Sequence, residues 1–289
     1  MRRFGIFCIT FLPITLALVI EILAVFFVQG IGALCSYLPA SGMADANLRF
    51  DLFFDHFDYN YCLFAVYALL SICVFGIWYY KCYAGEYLPS ASKTFHPLML
   101  GAILVLVPGT QFGADLVSTL VATIYPKALE DYEALIESAG LADHNTFFLI
   151  LYSVILAPIC EELIFRGVTL RNARRVMPFW PANILQAVLF GLFHGNLMQG
   201  CYAAALGIVL GFICEYGGSI YYSIGLHILF NLWGTVIIDL INFDNEVIYY
   251  ISFFGSIFIA LPLGIIMFVF GKKSLRRREA RQKTTQFSA

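Results

Sequence analysis

The sequence predicts an all-α, polytopic membrane helical bundle with about eight transmembrane helices. Three observations predict it. Hydrophobic residues make up 61% of the 289-residue chain and charged residues only 12%, about half the charged share of a soluble domain. The mean hydropathy is +0.82, so there are too few charges to clothe a water-soluble core of this length. The apolar residues also fall in runs of spanning length, separated by short segments where the charges collect.

A spanning helix needs about 20 mostly apolar residues, and such runs lie near 4–28, 60–80, 95–124, 146–165, 178–195, 201–215, 219–238 and 247–270. The first, after Met1-Arg2-Arg3, is too long for a signal-peptide core and reads as a retained span. The third carries Pro97, Pro108 and Gly109, which predict a kink or a tilt. The sixth is short for a span.

Short cytoplasmic loops are enriched in lysine and arginine, and the charges sort accordingly. Arg2 and Arg3 begin the chain; Lys81 and Lys93 follow span two; Arg166, Arg171, Arg174 and Arg175 follow span four; Lys272, Lys273, Arg276, Arg277, Arg278, Arg281 and Lys283 follow span eight. The intervening segments are acidic: Asp45, Asp51, Asp55 and Asp58 against Arg49, then Glu130, Asp131, Glu133, Glu137 and Asp143 against Lys127. An even number of spans, with both termini cytoplasmic, satisfies every segment and places the chain in the cell membrane. The expected organisation is spans one to three with their loops (1–145), a polar-residue-bearing core (146–240), a last span (241–271) and a basic tail (272–289) lying as a frayed helix on the anionic inner leaflet. No basic stripe points to nucleic acid, and no internal two-fold repeat of spans points to a transporter. The eight cysteines, without a Cys-x-x-Cys pair, read mostly as small packing residues, with Cys35 and Cys62 the one pair considered for a bridge.

An ionisable group inside a span costs a few kcal/mol and needs a partner, a wet cavity or a function. Glu161, Glu162 and Arg166 lie at the inner end of span four, His194 in span five, and His227 with Asn231 in span seven. Glu162 and Arg166 are four residues apart, the spacing of a helical ion pair, which turns Glu161 about 100° away to face elsewhere. His227 and Asn231 share that spacing, as do Phe190 and His194. Glu21 and Asp115 are isolated acids with structural or surface roles. Ala203, Gly207 and Gly211 form a small-residue ridge on span six, and Gly191 with Gly195 another on span five.

Glu161-Glu162-x-x-x-Arg166, Phe190-x-x-x-His194 and His227-x-x-x-Asn231, in this order on successive helices, resemble the CAAX protease and bacteriocin-processing family (CPBP, or Abi). The resemblance covers about residues 150–235. It implies an eight-helix intramembrane protease, a hydrolase of peptide bonds, with a polar cavity open toward the cytoplasm. Glu161 and His194 would activate water, and His227 and Asn231 would hold the carbonyl oxygen. Eukaryotic members of the family trim prenylated CAAX proteins; bacterial members more often process peptide pheromones or bacteriocin leaders. The implied partners are the lipid bilayer and a peptide or protein substrate, with nothing that assigns a prenyl group or an oligomeric state.

Peptide hydrolysis needs a nucleophile, a base and donors aimed at the oxyanion, and these residues supply each without a cofactor. Zinc held by Glu161, His194 and His227 is the alternative, since two histidines and a glutamate are a known ligand set; against it, there is no His-Glu-x-x-His, and an arginine already partners one carboxylate. The alternative function is a non-catalytic membrane immunity or partner protein that keeps the site as a binding pocket. One tension concerns depth. A helix beginning at Pro178 puts His194 about 24 Å along it, whereas Glu161 lies only about 8 Å from Arg166, so helix five is expected to begin in the cytoplasm.

Overall fold

Long apolar runs with few breaking residues give long helices. The computed structural model describes residues 2–56, 59–87, 94–138, 147–241 and 245–287, and every regular element among them is helical. Asp58, Lys93 and Asp143, together with the side chains of Arg2, Arg3, Asp55, Arg281 and Lys283, lie outside what is described.

Helix α1 (Arg2–Ile9) leads into α2 (Leu12–Tyr37), and α3 (Met43–His56) folds back against α2 before α4 (Tyr59–Tyr87) returns. Helix α5 (Pro97–Ile124) is capped by His96, whose Nδ1 accepts from the Leu98 amide at 3.2 Å. Its 28 residues extend about 42 Å, against a hydrocarbon core of about 30 Å, so it tilts, bends or projects beyond that core. Short α6 (Lys127–Ser138) packs on α5 and on α9 (Leu197–Gly217). Between them come α7 (residues 147–174) and α8 (Phe179–Phe193). Helix α10 (Ile220–Ile237, with a last turn Ile238–Leu240) and α11 (residues 246–287) complete the bundle.

Among the described residues six helices are long and apolar enough to cross a membrane: Phe4–Tyr37, Cys62–Tyr83, Pro97–Ile124, Leu197–Gly217, Ile220–Ile237 and Glu246–Arg278. The chain is a multi-pass membrane protein. The other two expected spans depart from the simple pattern for different reasons. Helix α8 has 15 residues, about 22 Å and short of a full crossing, while α7 carries five charged side chains between Glu161 and Arg174.

The helix that begins in the run 146–165 extends past it, so Glu161, Glu162 and Arg166 lie near its middle rather than at its end. Helix α7 continues to Arg174, and of the arginines expected in a loop Arg166 and Arg171 are buried, Arg174 is partly exposed and Arg175 is exposed. Arg166 pairs with Glu162, while Arg171 and Arg174 both grip Glu215 at the end of α9, Arg174 Nε at 2.9 Å. Lys272 of α11 donates to the Gly217 carbonyl at 2.7 Å beside them. Because α7 is longer, Glu161 lies about 20 Å from its Arg174 end, and His194 lies about 22 Å from Phe179. The depth tension resolves through α7.

Helices α8 and α9 form a hairpin whose turn, His194-Gly195-Asn196, puts Gly195 at φ 66°, a left-handed geometry that glycine adopts without a side-chain clash. Asn196 caps α9 by accepting from the Gln199 amide. The legs approach closely: a Cβ on Gly191 would strike the Gly200 carbonyl, and one on Gly211 would overlap the Asn183 carboxamide. Gly195 is not part of this ridge, since nothing lies within 4 Å of its Cβ position. Asn183 Nδ2 donates to the Ile208 carbonyl at 2.9 Å, and Gln186 Nε2 to the Gly207 carbonyl at 2.9 Å. Gly211→Ala is expected to cost about 1–3 kcal/mol by overpacking. Gly225→Ala, with open space at its Cβ, gains helix propensity instead; melting of both variants in detergent checks the contrast.

No disulfide joins Cys35 to Cys62, and of the eight cysteines Cys160 and Cys214 are the buried ones. Cys62 and Cys201 are half-buried, while Cys8, Cys35, Cys73 and Cys82 are exposed and do not pack internally as expected.

Candidate active site

Helix α7 changes its winding on both sides of the two glutamates. Residues Leu151–Leu156 and Leu163–Thr169 are π-helical, and Ala157–Glu162 between them is α-helical. Such widened turns shift the register of the side chains that follow and recur at functional sites. The four-residue pair nevertheless closes: Arg166 Nη1 donates to Glu162 Oε1 at 2.9 Å, with both side chains at 0% exposure. Arg166 does not snorkel to a surface.

His227 of α10 sits between the two carboxylates. Its Nδ1 lies 3.0 Å from Glu162 Oε1, and its Nε2 lies 3.5 Å from Glu161 Oε2. Glu162 Oε1 thus receives both Arg166 and His227 and fixes the imidazole's orientation, as a carboxylate does behind a catalytic histidine. Glu161 makes the looser contact and keeps 16% exposure against 3% for His227. Of the two acids, Glu161 is the one left open to a ligand.

Phe190 joins the remaining pieces. The Arg166 guanidinium lies 4.4 Å over its ring, and both imidazoles meet it edge to face, His194 at 4.9 Å and His227 at 5.8 Å. A ring face attracts a cation while its edge and plane hold neighbouring rings in place, so this buried side chain spaces three ionisable groups. His194 ends α8, and its Nδ1 contacts the Phe190 carbonyl at 2.8 Å. A carbonyl only accepts, so Nδ1 carries the proton and Nε2 of the neutral ring keeps a lone pair. Among the described residues no hydrogen bond or ion pair links His194 directly to Glu161.

Asn231, one turn beyond His227, donates Nδ2–H to the Ser153 carbonyl of the first π segment at 2.7 Å. One amide hydrogen ties α10 to α7, and the second remains. Asn231 and Ser153 form part of the wall of a cavity of about 960 Å³ that is otherwise bounded by α5, α6, α9 and α10. Glu161, His194 and His227 are not among its lining residues. The cavity lies at the α6 end of the bundle, whose loop is acidic, rather than at the basic end where the resemblance places the opening.

Phe190 is the shared contact of Arg166, His194 and His227; His227 in turn meets Glu161 and Glu162, and Asn231 stands one turn along α10 from it, tied to Ser153. Among the described residues no three His, Cys, Asp or Glu side chains are grouped closely enough to hold a metal ion. Sequence reasoning missed Asn183 and Gln186, both at 0% exposure, although two carboxamides in an apolar run are the same kind of signal as His194. It also missed Glu215, because the arginines that hold it were assigned to a loop.

Residues 143–233 match the model of a family described as "Type II CAAX prenyl endopeptidase Rce1-like", over the stretch that holds all three motifs. A curated protein of Bacillus subtilis (strain 168) named "Putative membrane peptidase YdiL" is 27% identical over 88 residues, which are 30% of this chain and 36% of that protein. The chain thus matches about a third of its relative's length. No solved structure matches.

Proposed function

We propose, proceeding from the likeness of residues 143–233 to CAAX endopeptidases, that the chain is an intramembrane endopeptidase that cleaves a peptide bond of a membrane-associated protein or peptide with a glutamate-activated water. The observation that carries this reading is the Glu162–His227–Glu161 series, in which one buried carboxylate orients the imidazole and the other stays open.

Water held at Glu161 attacks the scissile carbonyl carbon, and Glu161 takes its proton, with the His194 Nε2 lone pair within the same pocket as a second acceptor. The new C–O bond places negative charge on the carbonyl oxygen. His227 Nε2–H and the second Asn231 amide hydrogen are the donors that meet it. Collapse breaks the C–N bond, and the proton on Glu161 passes to the leaving nitrogen. Exclusion of bulk water strengthens each of these contacts.

The test compares the peptide termini produced in cells with the wild-type chain, with no chain, and with Glu161→Gln. Endopeptidase action predicts a set of new termini present only with the wild type. A binding protein would keep its cellular effect in the variant and generate no such termini.

A metal-free route is part of the proposal. Glu162 is already held by Arg166 and His227, and Nδ1 of His194 by backbone. Purified protein treated exhaustively with chelator is therefore expected to keep its turnover, with no stoichiometric metal by elemental analysis. Loss of activity restored by zinc alone would replace the glutamate route with the Glu161, His194 and His227 ligand set.

A further inference from the structure

The cavity of about 960 Å³ is large enough for a stretch of several residues, and its wall has a distinct chemistry. Asp115 of α5 and Glu133 and Glu137 of α6 contribute carboxylates, and among the described lining residues there is no lysine, arginine or histidine. Tyr132 of α6 and Tyr202 of α9 add aromatic surface. The Tyr249 hydroxyl reaches Asp115 Oδ2 at 3.4 Å, a neutral contact that leaves its charge unmatched. Carboxylates and aromatic faces both favour the same guest, a cation with N–H groups.

The chamber also touches the reaction centre at one point. Asn231 lines it and stands one helical turn from His227, about 6 Å away along the same face. A chain lying in the chamber with its backbone at Asn231 would bring the adjoining peptide bond toward His227 and Glu161.

We propose that this chamber is the substrate-recognition site for a basic peptide segment, with lysine or arginine side chains seated among Asp115, Glu133 and Glu137 and the scissile bond at Asn231. The assignment rests on the endopeptidase reading. It makes α6 the gate and the acidic end of the bundle the side from which the peptide arrives.

The experiment uses the full chain in lipid nanodiscs, in the Glu161→Gln form so that binding is read without cleavage. The probes are three dye-labelled peptides of equal length and identical apolar positions, carrying lysine, glutamine or glutamate at the variable ones, followed by fluorescence anisotropy. The lysine peptide is expected to bind about tenfold tighter than the glutamate peptide, as a few partly exposed charge pairs would give. That preference should shrink with added salt and in the Asp115→Asn, Glu133→Gln, Glu137→Gln triple variant. Equal binding of the three peptides, no binding of the lysine peptide, or a preference unchanged in the triple variant overturns the proposal. A cleavage assay with the wild type separates the two readings. Selective binding of the lysine peptide without hydrolysis removes the endopeptidase and leaves the chamber, whereas indiscriminate cleavage of all three does the reverse.

Discussion

Glu161→Gln is expected to lower turnover about 10³-fold, within the range of a lost general base, with the melting temperature unchanged. Chemistry and stability separate at this residue because its recorded contact is the loose 3.5 Å approach to His227, and it is the partly exposed carboxylate of the pair. Glutamine keeps the volume and a carbonyl acceptor but takes no proton at neutral pH. Initial rates on the substrate identified from cellular termini, beside thermal unfolding in the same detergent, check both halves. A folded variant that keeps more than about a tenth of wild-type turnover would remove Glu161 as the water-activating group. The base would then be sought at His194 Nε2, which also carries a lone pair.

Arg166→Ala is expected to act the other way round, as a stability defect of about 3–5 kcal/mol that takes activity with it. The reason is the accounting of buried charge. Arg166 and Glu162 are both at 0% exposure, so removing the guanidinium leaves a carboxylate in a low-dielectric interior with an imidazole and the Ser223 hydroxyl beside it but no fixed cation. The ring of Phe190 loses its cation at the same time. Replacing both partners, Arg166→Met with Glu162→Gln, should recover much of the stability, because neither replacement leaves a buried charge without its partner. It should not recover activity, since a neutral carboxamide removes the negative charge behind the His227 imidazole, whose Nδ1 lies 3.0 Å from Glu162 Oε1. Unfolding and turnover measured on the single and double variants form a double-mutant cycle. A double variant no more stable than Arg166→Ala would show that the pair is not what makes the arginine necessary.

Much of the architecture is legible before any coordinate because the bilayer imposes a simple rule: about 20 apolar residues make a span. That rule succeeds for the six uniform helices and strains at α7 and α8, where the protein itself replaces lipid as the solvent of the chain. Arg166, Arg171 and Arg174 resemble a cytoplasmic loop only while Glu162 and Glu215 are unknown to be their partners. A hydropathy criterion has no term for such pairing. The site was legible for a related reason: polar side chains are so rare in these helices that His194, His227, Asn231 and the glutamates stand out individually, and their four-residue spacings fix which of them share a face.

Sequence by itself determined the helical class and the lipid-embedded character and singled out six candidate side chains, since each depends on composition or on spacing within one helix. Tertiary structure alone decided that His227 spans the two carboxylates rather than joining Asn231, that Asn231 is tied to the π turn of α7, and that the chamber opens beside α6. Those are relations between helices, set by how α7, α8 and α10 rotate and slide against one another. Periodicity along a single helix carries no information about that rotation; only the close packing of neighbouring surfaces fixes it.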